Sequence, residues 1–176
     1  MVTTQQTRWL TAEEQRAWRA FLTACQTLFS AIDAQLLHDA KIPHGYYEIL
    51  VRLSETPGRA LRMTQLAEAS TSSKSRLSHA VARLEERGWV QRMDCPTDRR
   101  GQIAQLTDEG FAALAAAAPG HVEQVRRSLI DQLTPEQIEH LREISELISA
   151  VGGTQQAGEG CPGEPDDTAD LGSCPP

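Results

Sequence analysis

The chain has 176 residues, of which 40% are hydrophobic and 23% charged, and its net charge is −7. These values are typical of one soluble domain. No apolar run approaches the roughly 20 residues of a membrane span, and the first residues lack the basic and apolar regions of a secretory signal. Four scattered cysteines do not suit a disulfide-stapled domain. We therefore expect a cytoplasmic protein with no membrane partner.

The negative charge is unevenly distributed. Residues 151–176 hold five acids and no Lys or Arg, together with six Gly and four Pro. This composition predicts a disordered acidic tail, because few of its groups can build a core. Residues 59–101, in contrast, hold nine bases and five acids. A basic segment inside an acidic chain is either a phosphate-binding face or a solvated surface, and charge alone leaves both interpretations open.

The first third of the chain has helical periodicity. Apolar residues at spacings of three and four predict a helix from about Thr11 to His38. Thr11 and Glu14 form a capping box at its start. Pro43 stops this helix, and a second one follows over residues 46–53.

The middle of the chain changes from helical to strand-like patterns. We predict a short helix capped by Thr64, a longer helix, and two strands joined by a polar loop. These elements cover residues 64–69, 73–87, 89–93 and 102–107, and the loop covers 94–101. Gly88 suits the position just after the longer helix, where a left-handed residue ends many helices.

Two more helices are predicted after the hairpin. Thr107 caps the first, and the Pro-Gly pair at 119–120 is expected to kink or break it. Thr134 and Gln137 form a second capping box, and the Gly pair at 152–153 is expected to close the last helix.

The central order of short helix, turn, helix and hairpin is that of a winged helix-turn-helix. A helix that begins with Ser72 and Ser73 can bring its first amides and side chains into the DNA major groove. Lys74, Arg76 and His79 follow on this helix, and Arg99 and Arg100 occupy the hairpin loop. Arginines in such a loop can reach the DNA backbone or the minor groove.

Two segments resemble one known family. Asp98-Arg-Arg100, five residues, then Leu106-Thr-x-x-Gly110 resembles the wing signature D-x-R-x5-L-T-x-x-G of the MarR (multiple antibiotic resistance regulator) family. The segment from Leu84 to Val90 resembles the end of that family's recognition helix. The likeness extends over about residues 11–151.

The resemblance implies a mainly α fold with a small β-hairpin wing, made of a winged helix-turn-helix and a helical dimerisation domain. The domains would be an N-terminal dimerisation helix (1–44), the DNA-binding domain (45–110), C-terminal dimerisation helices (111–152) and the acidic tail (153–176). It also implies a homodimer on a pseudo-palindromic operator, usually a repressor released by a small aromatic ligand or by cysteine oxidation.

Carried over by position, the resemblance assigns functional residues. The predicted DNA contacts are Ser72, Ser73, Lys74, Arg76, His79, Arg99 and Arg100. Asp98 would orient the wing by pairing with an arginine such as Arg76. The family's ligand pocket lies between the dimerisation helices and the winged domain. Its candidate lining residues here are Trp18, Arg19, Cys25, His44, Tyr46 and Tyr47.

Each of these residues also has a structural interpretation. One of the serines at 72–73 must cap a helix, and aromatic residues at helical spacing are more often core than ligand-binding. His121 and His140 are interpreted as surface or interface residues. Cys25 is expected to be a small buried thiol, and Cys95 in the wing is expected to be exposed. Both remain redox candidates, whereas Cys161 and Cys174 lie in the tail.

No residues with the spacing of a catalytic set, a phosphate loop or a metal site stand out. We expect no enzyme activity, cofactor or metal. Two alternatives to a ligand-released repressor stay open. One is a thiol-based sensor that uses Cys25 or Cys95. The other is a winged-helix adaptor that binds proteins instead of DNA, as the net negative charge would suit.

Overall fold

The computed structural model describes residues 7–70, 73–95 and 98–156, with the backbone alone for 98–100 and 152–156. Residue contacts divide the chain into two compact units, Met1–Ser128 and Leu129–Pro176. The first unit contains helices α1 to α5 and a three-stranded sheet. The second contains a 3-10 turn and helix α6.

The helices and strands confirm a mainly α fold with a small antiparallel sheet. The helices are α1 (Ala12–Asp39), α2 (His44–Ser54), α3 (Met63–Ala69), α4 (Lys74–Glu86), α5 (Asp108–Ser128) and α6 (Pro135–Gln156). The strands are β1 (Ala60–Arg62), β2 (Val90–Cys95) and β3 (Asp98–Leu106), in the spatial order β1-β3-β2. Short 3-10 turns cover Pro57–Arg59 and Ile130–Gln132.

Both predicted capping boxes are confirmed. At α1, the Thr11 amide donates to the Glu14 carboxylate (2.7 Å), and the Glu14 amide donates to Thr11 Oγ1 (3.2 Å). At α6, Thr134 and Gln137 exchange the equivalent bonds at 2.9 and 3.3 Å. These side chains satisfy amides that have no partner inside the helix, which is why the sequence locates both helix starts well.

The sheet is larger than predicted. Strand β1 was not predicted, because three residues are too short for a recognisable alternation. It pairs with β3 from Ala60 opposite Gln105 to Arg62 opposite Ile103. The polar loop predicted over 94–101 was also wrong in extent, since β2 runs to Cys95 and β3 begins at Asp98. Pairing across the hairpin extends both strands into polar sequence.

Three helix ends differ from the predictions. Helix α3 starts one residue before Thr64, and Arg62 is its N-cap, with the Arg62 amide donating to Gln65 Oε1 (3.2 Å). Helix α5 continues through Pro119 instead of breaking, because its packing against α1 and α2 outweighs one lost hydrogen bond. Helix α6 continues past the glycine pair to Gln156. The rest of the predicted tail lies outside the described residues.

The hydrophobic core of the first unit lies between the end of α1 and the winged region. Its largest fully buried side chains are Leu36, Ile42, Leu50, Leu53, Leu66, Leu77, Val81 and Leu84. They come from α1, the loop before α2, and α2 to α4. This core anchors α4 on one face only, so the opposite face of α4 is available to solvent.

Helix α1 leaves most of its apolar stripe outside this core. Trp18, Phe21 and Phe29 are 51%, 44% and 52% exposed in the single chain. Helix α1 is also apolar enough by length and composition to cross a membrane, with a window of mean hydropathy 1.2. The expectation that no segment approaches a membrane span concerned unbroken apolar runs, and α1 meets the length and hydropathy criteria with polar residues inside its window.

Candidate nucleic-acid interface

The start of α4 is built by a serine cap. The Arg76 amide donates to Ser73 Oγ at 3.4 Å, so Ser73 is the N-cap. Ser73 is therefore structural, whatever else it contacts. Ser72 lies outside the described residues. The helix ends at a Schellman motif in which Gly88 has φ +73, as predicted for the glycine after α4.

The two faces of α4 differ in chemistry. Leu77, Val81 and Leu84 are buried in the core. The predicted DNA-contacting side chains on the same helix are all exposed: Ser73, Lys74, Arg76 and His79. The helix therefore presents two cations and a histidine to solvent from a fixed apolar base.

The wing is formed by β2 and β3. Their register runs from Val90 opposite Leu106 to Cys95 opposite Asp98, with an irregularity at Asp94 and Cys95. The backbone of residues 98–100 belongs to β3, but the side chains of Asp98, Arg99 and Arg100 lie outside the described residues. Their predicted roles stay predictions, including the pairing of Asp98 with Arg76.

Cys95 was expected to be exposed, and this was wrong because the side chain is only 5% exposed. Cys25 was expected to be buried, but it is half-buried on α1, where much of the apolar stripe has no cover within the single chain. Neither of these two thiols is in a disulfide. Burial protects a thiol from oxidants, so the structure favours Cys25 over Cys95 as the accessible one.

The base of the wing explains the Leu-Thr-x-x-Gly part of the motif. Thr107 Oγ1 donates to the Gly88 carbonyl (2.7 Å) and accepts from the Gly110 amide (3.0 Å). The Thr107 amide donates to the Trp89 carbonyl (3.0 Å). A Cβ on Gly110 would lie 2.1 Å from that same carbonyl oxygen. Thr107 thus ties the end of α4 to the start of α5, and only glycine fits beside it.

Arg92 makes a second connection, which the sequence analysis missed. It lies on β2 and contacts α4 at Ser78 and Glu85. Helical or strand periodicity does not predict this contact. Arg92 lies on β2, whereas Ser78 and Glu85 lie on α4, before the turn at Gly88.

Two of the predicted ligand residues line one cavity. This cavity of about 330 Å³ lies between α2 and α5. Its lining residues are His44, Tyr47, Glu48, Val51, Arg52, Glu55 and His121. Tyr46 lines a different cavity of about 170 Å³ beside Arg52 and Arg76. Trp18 stacks on Phe21, and neither Trp18 nor Arg19 lines the cavity that contains His44.

His121, which the sequence predicts to be a surface or interface residue, also lines this cavity. Its ring centroid lies 4.5 Å from that of Tyr47 and 6.3 Å from that of His44. Its Nδ1 is buried and has no hydrogen-bond partner in the part of the chain that the structure describes. Burial and the neighbouring charge of His44 lower the pKa of His121, and Glu48 acts in the opposite direction. Burial also raises the pKa of the Tyr47 hydroxyl.

Among the residues that the structure describes, no three His, Cys, Asp or Glu side chains lie close enough together to hold a metal ion.

Comparison with known proteins gives consistent results. Residues 42–101 match the model of the MarR family. The crystal structure of Sco3205, a MarR family transcriptional regulator from Streptomyces coelicolor in complex with DNA, is similar to this chain. The two are 54% identical, the match covers 82% of this chain and 91% of that one, and the TM-score is 0.80.

Two curated relatives match a shorter segment. The HTH-type transcriptional regulator PecS of Dickeya dadantii is 37% identical over 83 residues, which are 47% of this chain and 49% of PecS. The HTH-type transcriptional repressor YetL of Bacillus subtilis is 30% identical over 84 residues, 48% of this chain and 50% of YetL. The match thus spans about half the length of these relatives. Both relatives are named as transcriptional regulators.

Proposed function

The chain belongs to the MarR family of transcriptional regulators, and from this we propose that it is a homodimer that binds a pseudo-palindromic DNA operator. The observation that carries the proposal is the exposed polar and basic face at the start of α4. Ser73, Lys74, Arg76 and His79 project from a helix whose other face is anchored by buried leucines and valine. A single α-helix is the right size for the major groove.

The wing supplies the second contact of the proposed complex. Arg99 and Arg100 lie near the start of β3, and arginine is the residue favoured in a narrow minor groove. Asp98 orients the wing through an arginine, with Arg76 as the proposed partner. The similar protein Sco3205 is in complex with DNA, which supports the same mode of binding here.

A second copy completes the proposed regulator. The exposed aromatic side chains of α1 are the kind of apolar surface that a partner subunit covers. Two copies of α4 would then address half-sites about one helical turn apart, or a multiple of it. Acting on chromosomal DNA, the dimer would work in the cytoplasm without a membrane partner.

We propose that the regulator is a repressor released by a small aromatic ligand bound in the cavity between α2 and α5. The rings of Tyr47 and His121 offer stacking faces, Nδ1 of His121 offers a hydrogen bond, and Arg52 offers a positive charge. Release requires the ligand to bind the DNA-free conformation more tightly, by the same factor that it weakens DNA binding. The name of the relative YetL supports repression.

The test is selection of DNA from a random-sequence duplex library by the purified protein. We expect an enriched palindrome bound by two chains per duplex, at least about 10³-fold tighter than random duplex. Arg100→Ala should then weaken binding to the selected duplex by about 1–3 kcal/mol. Enrichment of no sequence, with binding no tighter than to random DNA, would contradict the proposal and favour the protein-binding adaptor.

A further inference from the structure

The side chain of Arg92 connects the wing to the recognition helix. Its Nη2 donates to the Ser78 carbonyl of α4 at 2.8 Å. Its Nε lies 3.2 Å from Glu85 Oε2, an ion-pair contact whose direction does not make a hydrogen bond. The Arg92 backbone amide donates to Glu85 Oε1 at 2.9 Å. One glutamate therefore holds both the backbone and the side chain of a single wing residue.

This contact spans a long part of α4. Ser78 and Glu85 are seven residues apart, which is two turns or about 10 Å of helix. On the other side, Arg92 pairs with Ala104 in β3, the strand that begins at Asp98. The contact thus joins the helix to the strand pair that leads to the wing tip.

The burial of this pair distinguishes it from the exposed ion pair of Arg83 and Glu86 on α4. The side chains of Arg92 and Glu85 are 23% and 31% exposed, whereas those of Arg83 and Glu86 are 65% and 61% exposed. Exposed pairs contribute little to stability because water and salt screen them. The partly buried pair is screened less, and its three contacts restrict orientation as well as distance.

We infer that Arg92 and Glu85 are positioning residues, which fix the angle between α4 and the wing so that both meet DNA in one geometry. This inference rests on the proposed function. Neither residue needs to touch DNA for this role, because Arg92 is already bonded to α4 and Glu85 is negatively charged. Loss of the contact should reduce binding to the matched operator and leave binding to unrelated DNA almost unchanged.

The experiment compares Glu85→Gln, Arg92→Gln and the double variant. Each is titrated with the duplex selected by the wild type and with a scrambled duplex of the same composition. We expect each single variant to lose about tenfold in affinity for the selected duplex and at most about twofold for the scrambled one. The double variant should lose no more than either single variant, because all three lack the same contact. Glu86→Gln, which breaks the exposed ion pair with Arg83 on the same helix, is the matched control and should bind like the wild type.

Four outcomes would overturn the inference. Single variants that bind the selected duplex like the wild type would show that the contact does not position the wing. If Arg92 instead binds a phosphate, Arg92→Gln would weaken both duplexes and reduce the salt dependence by about one phosphate, while Glu85→Gln would not weaken binding. Equal losses on both duplexes by variants that stay folded at the assay temperature would show that the contact supports DNA binding in general and does not set the wing angle. A wild type that selects no DNA would overturn the proposed function too, and this is seen before any variant is made.

Discussion

Helices α4 and α1 differ in how much of their apolar surface the single chain covers. In α4, Leu77, Val81 and Leu84 are at most 2% exposed. In α1, Phe21 and Phe29 are 44% and 52% exposed, although the apolar stripe is equally regular in sequence. The contrast teaches that periodicity predicts an apolar face but not what covers it. The face of α4 is covered by its own chain, and that of α1 is left for a second copy under the proposed function.

The largest expected effect comes from placing a charge on the uncovered face. Phe21→Asp should raise the dissociation constant of the homodimer by about 30-fold or more, the effect of losing one interface hot spot. Thr27→Asp adds the same charge to the opposite, exposed side of α1 and should leave the dimer intact. Sedimentation velocity over a concentration series measures both. Equal dissociation constants for the two variants would contradict the role assigned to this face.

A smaller loss is expected at the base of the wing. Gly110→Ala should lower the free energy of unfolding by about 1–3 kcal/mol, because the new Cβ would lie 2.1 Å from the Trp89 carbonyl oxygen. Gly45→Ala in α2 meets no atom within 4 Å and should stabilise the protein by up to about 1 kcal/mol. Urea denaturation compares the pair. Equal free energies of unfolding for Gly110→Ala and the wild type would mean that Gly110 and the Trp89 carbonyl can move apart without loss of stability.

The smallest expected effect is a pH dependence at the α2–α5 cavity. Because the pKa of His121 is lowered in the folded protein from its usual 6.5, the unfolded chain takes up this proton first as the pH falls. Stability should therefore decrease below about pH 6.5. His121→Gln should reduce the change of the melting temperature between about pH 7 and pH 5. If the melting temperature changes equally with pH in the wild type and the variant, His121 does not contribute to the pH dependence of stability.

The sequence predicts those parts of the fold that depend on local hydrogen bonds. Thr11, Thr134 and Gly88 mark helix ends because their own side chain or backbone satisfies the helix terminus. Strand β1 and the continuation of α5 through Pro119 depend on partners far away in the sequence. Local patterns contain no information on those partners, so β1 was missed and the sequence left both a kink and a break open at Pro119.

The residues of the candidate site likewise fall into those that local spacing predicts and those that depend on distant partners. The exposed cations of α4 follow from helical spacing once Leu77 is known to face the core. Burial of Cys95 depends on pairing at the irregular end of the hairpin, and the contact of His121 with Tyr47 depends on the packing of α5 on α2. Arg92 and Glu85 meet only because α4 turns back into β2 at Gly88.

The central claim, that α4 docks on DNA through its exposed start, is tested most directly by a salt series with the selected duplex. The logarithm of the association constant should fall linearly with the logarithm of salt concentration, by about 0.9 for each phosphate neutralised. Lys74→Ala should make this slope shallower by about one, whereas Arg16→Ala on α1 removes the same charge and should leave it unchanged. Identical slopes for Lys74→Ala and Arg16→Ala would contradict the claim.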